Sequence, residues 1–458
     1  MVQLKQLTIF LIFMGFASIL FIFLSEIFHL QRISQRFVSI KAETESTRYW
    51  KSKVLPMLYE NIILSIGLLI SIYYIRPIWK SIRNQYLFSY VFLNIHQLAI
   101  KLPAILYQHY FVDVSFGVYT ASSGKFFIDL ILHYIINNLL FTAFVIPTIL
   151  IGNRLAPPTT QKIMIEDNQD QIADSDPKLE NLADVDLQEL EEIEPDPEEH
   201  VESSQTAFRT SPLWIYLGGI LISLYILSYI LYPTYYKLFH TIYKPTPYID
   251  QKSLGNQFQN FTFPMKDKRN ESIYIIPNDI DNFYRLELMG TIFPKKVISS
   301  NILSKSVPEE LRAGAVYLDS LIDNQANLVG FFIGLLRPLL FIIIFKVVDA
   351  AGIKEFHIRP GKTVPCVLLV SFAFYNTVMI YAEPLIASVP RYFQKIADCT
   401  SVRSGYPMNV IISRIDRANF ATVTHHPIFS LVFVKTASPE ERFANIDVCL
   451  KSGKPKLM

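Results

Sequence analysis

Charge is what this sequence has least of. Asp, Glu, Lys and Arg make up 18% of its 458 residues, whereas a soluble domain carries about a quarter. That deficit excludes an ordinary water-soluble enzyme. Cysteine is nearly missing too. Cys366, Cys399 and Cys449 are too few for a disulfide framework, and none of their spacings gives the C-x-x-C of a metal site. They say little about redox compartment. Glycine is scarce, at 16 residues, and there is no internal repeat. Basic residues are spread among apolar runs and are not clustered with stacking aromatics, so no nucleic-acid partner is expected. The C-terminal Pro455-Lys456-Leu457-Met458 carries neither a retention tetrapeptide nor a prenylatable cysteine.

What fills the chain instead is apolar. Hydrophobic residues reach 51%, with 34 Phe and 25 Tyr. A helix needs about 20 mostly apolar residues to cross the hydrocarbon core. Seven stretches meet that length: Leu7–Phe28, Val54–Ile75, Leu87–Leu106, Phe126–Ile151, Leu213–Tyr236, Leu328–Val348 and Val364–Ile386. The first is too long for the apolar core of a signal peptide and lacks a small-residue cleavage site, so it reads as an anchor. Polar residues lie inside several spans: Glu60, Asn61, Asn94, His96, Asn137, Asn138, Arg337 and Asn376. Such groups are costly against lipid and turn toward a bundle interior or a wet cavity. Hydrogen bonding between helices is the plainer use; a polar chamber is the sharper one. Membrane lipids are the first partner implied.

The net charge of +2 conceals a segregation. Residues 165–204 hold sixteen acidic side chains and one lysine, which leaves 24 acidic and 41 basic residues elsewhere. With so little apolar content the acidic stretch cannot fold alone. It reads as a solvated flexible loop, with docking on a basic partner as the alternative. The loop Leu30–Lys53 and the tail after Ile386 are rich in bases, which places both on the inside face. Seven spans then put the acidic stretch on the opposite face. The short loop Arg76–Tyr86 carries three bases and runs against the pattern.

Between the fifth and sixth spans the texture changes. Ser272–Pro277, Tyr284–Phe293 and Lys296–Ser299 read as strands, with Pro294 at a turn. Pro308 opens a helix with acids in its first turn, as the helix dipole favours. A further helix covers Arg391–Ser404, and another Pro407–Asn419.

Several collinear blocks resemble one family. They are L-P-A-I-L-Y-Q-H-Y-F-V from Leu102, G-K-F-F-I-D from Gly124, and Y-P-T-Y-Y-K-L-F from Tyr232. I-Y-I-I-P, L-M-G-T-I-F-P-K-K-V-I, R-Y-F-Q-K-I-A-D from Arg391 and S-P-E-E-R-F-A-N-I from Ser438 follow in order. Together with seven spans this order is similar to the type I CAAX prenyl endoproteases, seven-span zinc metalloproteases of the endoplasmic reticulum and inner nuclear membrane. The resemblance implies a mainly α, polytopic membrane protein. Seven transmembrane helices would surround a chamber and carry a small α+β metalloprotease-like extramembrane domain. Its parts would be four N-terminal transmembrane helices over 1–164, the acidic loop over 165–204 and a fifth transmembrane helix over 205–240. A β-hairpin and helix region over 241–327, two more spans over 328–386 and a C-terminal helical part over 387–458 would complete it.

That family cuts peptide bonds with zinc held by H-E-x-x-H, whose two imidazoles share one helix face while the Glu activates water. By the resemblance, the first His falls on Tyr317, the Glu on Leu318 and the second His on Leu321. The third ligand falls on Gln394, and a late His on Thr436. All five are changed, and no other H-E-x-x-H is present. The substrate strand is changed too, to Arg285, Leu286 and Glu287. Asp398 and Arg442 keep the family's structural identity. A substitute metal site would need Asp319, Asp323 and the His425-His426 pair; otherwise the acids are a solvated helix face and the histidines part of a loop before Pro427. The expectation is an inactive relative with no zinc or other cofactor, acting as an accessory subunit among other membrane-protein subunits. Binding of lipid or prenylated peptide in the chamber, a protease with relocated ligands, and an unrelated seven-span transporter are the alternatives. The family implies the endoplasmic reticulum; the mitochondrial inner membrane, within a respiratory assembly, is the other compartment considered.

Overall fold

The computed structural model describes residues 4–36, 41–82, 84–91, 96–119, 122–155, 212–242, 273–276, 284–289, 294–351, 363–421, 424–434 and 436–452. The acidic stretch 165–204 lies outside them.

Helices dominate because the long apolar runs satisfy their backbone groups internally, as a lipid environment demands. In order they are α1 (Leu4–Arg36), α2 (Lys41–Tyr73), α3 (Ile75–Ile82), α4 (Gln85–Tyr90), α5 (His96–Tyr107), a π-helical turn (Gln108–Asp113), α6 (Ser123–Leu155) and α7 (Leu213–Ile242). Three strands follow: β1 (Ile273–Ile276), β2 (Leu286–Met289) and β3 (Lys295–Ser299). Then come α8 (Ser300–Lys305), α9 (Pro308–Asp323), α10 (Ala326–Gly334), α11 (Leu336–Ala351), α12 (Val364–Arg403), α13 (Met408–Ala418), α14 (Pro427–Phe433) and α15 (Pro439–Ser452).

Six stretches among the described residues are long and apolar enough to cross a membrane. They correspond to the first, second, fourth, fifth, sixth and seventh expected spans. Of the third expected span, Leu87–Leu106, the described residues hold parts of two helices, α4 and α5, and residues 92–95 lie outside them. Asn84 caps α4 by accepting from the amides of Tyr86 and Leu87, α5 begins at His96, and Pro103 sits inside it. The sixth span is likewise two helices, α10 and α11, joined at Leu335. The seventh goes the other way. α12 runs unbroken for 40 residues through Pro384 and Pro390, so the helix expected at Arg391–Ser404 is its continuation. One helix therefore links membrane and extramembrane parts.

The bundle core joins α1, α2, α6, α7, α11 and α12 around Ile72, Ile149, Leu217, Phe345 and Val370. Most other bundle surface is apolar and outward, as at Phe10, Phe21, Leu139 and Ile343, which suits lipid contact. Asn61 and Asn138 donate to carbonyls four residues back within their own helices, bonds that join no two helices. Arg337 and Glu383 differ: they pair at 2.6 Å between α11 and α12. A largely apolar cavity of about 490 Å³ lies beside Arg337, walled by Phe141, Phe144, Leu221 and Phe372.

The two ends of the bundle are distinct. Gly152 near the end of α6 approaches both Leu213 and Val364, at the starts of α7 and α12. The end of α1 meets the C-terminal part instead, where His29 bonds the Thr424 carbonyl at 3.0 Å. The flanks of the acidic stretch and the extramembrane domain thus sit at opposite ends.

In that domain β3 lies centrally, parallel to β1 and antiparallel to β2. β2 is an edge strand. α9 starts where sequence expects, with Glu310 accepting from the Val307 amide at 3.1 Å. Leu311, Leu318, Ile411, Ile412 and Ile446 form the domain core. One cysteine reading needs correction. Cys399 and Cys449 are joined in a disulfide, with Cα atoms 5.8 Å apart; three cysteines allow no framework, yet they allow this single bridge between α12 and α15.

Candidate functional site

A cleft of about 550 Å³ opens between β2, α9, α12 and the segment leading into α15. Tyr317, Gln394 and Thr436 line it, with Arg285, Leu286 and Glu287 along the β2 edge. Four separate parts of the chain, Arg285–Glu287, Tyr317, Gln394 and Thr436, therefore share one wall. Leu318 and Leu321 do not line it. They turn into the domain core, where Leu318 is fully buried.

The wall at Tyr317 is knitted by hydrogen bonds. Gln394 accepts from the Ala437 amide at 2.9 Å and hydrogen-bonds the Tyr317 phenol. Burial pushes that phenol up to about 12, against the opposing effect of Arg442, so it stays protonated. The Arg442 guanidinium stands 5.6 Å over the Tyr317 ring. Arg442 also donates twice to Asp398, at 2.8 and 2.7 Å. Burial acts against the Arg442 charge, but the Asp398 carboxylate holds the guanidinium above its ordinary value. A capping box holds α15 next to this pair, with the Glu441 amide donating to Ser438 and the Ser438 amide donating to Glu441.

The residues of the substitute metal site stand apart in their bonding. Asp319 pairs with Lys296 of β3. His425 borders the cleft but bonds Glu26 of α1 at 2.7 Å, and the other Glu26 oxygen accepts from the His426 amide. His426 is the residue before α14, as a loop reading of the pair requires. Among the described residues, no group of three His, Cys, Asp or Glu stands close enough to hold a metal ion.

Three contributors were not singled out from sequence. Trp50 of α2 donates to the Phe420 carbonyl at 2.7 Å and packs edge-on to His425. Asn419, the last residue of an R-x-x-x-x-N run, accepts from the Tyr284 amide and donates to its carbonyl, at 2.8 and 2.9 Å. It substitutes for a neighbouring strand at the start of β2. The Arg of the same run, Arg414, bonds Glu310 at 2.9 Å. That motif was the one available signal.

Asp416 is the third, and the one titratable group here with an unsatisfied oxygen. Burial raises its carboxyl to about 7, with Arg442 opposing and Asp398 reinforcing. A carboxyl raised on folding binds protons more tightly in the folded state. Its contribution to stability is therefore complete below about pH 4 and is lost as pH rises toward 7. Asp416→Asn is expected to remove that part of the slope when melting temperature is followed across this window. An unchanged slope would contradict the burial argument.

The fold of this helical membrane protein is shared by a solved structure. The crystal structure of S. mikatae Ste24p superposes with a TM-score of 0.64 at 14% identity, covering 97% of this chain and 99% of that chain. No protein-family model and no curated protein matches the sequence. The likeness is one of fold, and it carries over nearly the whole chain.

Proposed function

We propose that this protein is a non-hydrolytic relative of the CAAX prenyl proteases that serves as an accessory subunit of a larger membrane assembly. The observation that carries the reading is the Tyr317–Gln394–Ala437 hydrogen-bond chain under the Arg442 cation. The resemblance would have a divalent cation at these positions. The side chains present do not fit one. A protonated phenol and an amide whose oxygen already accepts an N–H are poor donors, and a neighbouring guanidinium repels a cation. Leu318 offers no proton acceptor to activate water. The broad apolar outer surface of the bundle and the retained cleft are the features left for partners to use.

A second reading rests on the cavity beside Arg337. Its aromatic and aliphatic walls and single charged end suit an isoprenoid or acyl chain bearing an anionic or polar end. Compartment follows from neither reading; the endoplasmic reticulum is proposed on the resemblance, with the mitochondrial inner membrane as the other candidate.

One experiment addresses both. The full chain, purified in mild detergent, is incubated with a farnesylated peptide with and without chelator, and its native mass is recorded. Products no greater than the blank, with the chain travelling in a large stoichiometric assembly, are expected. Peptide retained uncut would favour the second reading. Chelator-sensitive cleavage would refute the first.

A further inference from the structure

Tyr284 also borders a second, larger cavity of about 850 Å³. Its walls come from three places. Asn409, Ser413 and Arg417 recur every fourth residue, so they share one face of α13. Lys305 closes α8, and Phe116 belongs to the segment after the π-helical turn that leads back into α6. The cavity therefore lies where the helix bundle meets the extramembrane domain.

Its charge is of one sign. Lys305, Arg414 and Arg417 line it and no carboxylate does. Arg414 is neutralised in part by Glu310, at 2.9 Å. Lys305 and Arg417 have no carboxylate partner among the described residues; the Lys305 ammonium stands 5.7 Å over the Tyr284 ring. A concave surface lined by cations focuses its field on the opening. Guanidinium and ammonium groups together match the tetrahedral oxygens of a phosphate, and the hydroxyl and amide of Ser413 and Asn409 add neutral contacts. The volume exceeds that of a bare ion and leaves room for the group esterified to it.

We propose that this cavity binds a phosphate-bearing anion, gripped by Lys305 and Arg417. The same chemistry has two sources, a phospholipid headgroup at the bundle–domain junction or a soluble phosphate compound. The site is independent of how the protease-like cleft is read, because the two share Tyr284 but none of the cations.

The test follows the melting temperature of the full chain in a neutral detergent, since a ligand that binds the folded state raises it. The probes are dihexanoylphosphatidic acid, glycerol phosphate and inorganic phosphate. A saturable rise, weakened by salt, is expected. Each lost cation should weaken binding about tenfold, and Lys305→Ala/Arg417→Ala should abolish the rise. Both side chains are exposed, so the double variant folds; Arg417→Lys should keep most of the effect. A rise with the lipid alone identifies a headgroup site, and an equal rise with glycerol phosphate identifies a soluble ligand; either supports the anion site. No saturable rise with any probe, or an undiminished rise in the double variant, would overturn it.

Discussion

Asp398→Ala is expected to cost about 3–5 kcal/mol of stability, the range for removing one partner of a buried ion pair. Asp398 is fully buried and takes both donors of Arg442. Its loss leaves a guanidinium with no counter-charge, enclosed by Tyr317 and the end of α12. The effect is not the worth of the pair. Replacing both members with apolar residues, as in Asp398→Leu/Arg442→Met, should restore much of the loss, because no charge then remains buried. Thermal unfolding of the two variants in the same detergent separates the cases. If Asp398→Ala melts like the parent, Arg442 is hydrated and the packing described for the cleft is mistaken.

Leu318→Glu should be the most damaging single change in the domain, at about 4 kcal/mol or more, because it buries an unpaired carboxylate. The position is fully enclosed among Leu311, Ile411 and Ile412. By the family resemblance, this is where a water-activating glutamate would stand. A wet metal site would accept that residue; an apolar core rejects it. Restoring the whole motif as Tyr317→His/Leu318→Glu/Leu321→His is expected to give a poorly folded chain without retained zinc, measured by melting and metal content. A triple variant as stable as the parent and loaded with zinc would sink the non-hydrolytic reading.

Much of the fold was legible in local sequence. Long apolar runs give helices wherever they occur, because backbone groups in lipid must bond within the segment. Pro308 followed by Glu309 and Glu310 marked the start of α9 to the residue. Tyr317, Gln394 and Thr436, taken from separate blocks, line one cleft. Other features escaped for identifiable reasons. Pro384 and Pro390 are interruptions by local rule, yet α12 continues through both.

The sequence by itself determined the membrane class and most of the spans. Those properties depend on composition and on spacing along a single helix. Only the tertiary structure decided that Glu26 meets His425, that Cys399 meets Cys449, that Leu318 faces the core and not the cleft, and that three cations share one cavity. Each of these depends on which distant segments are brought within a few ångströms, and periodicity within one segment carries no record of its neighbours.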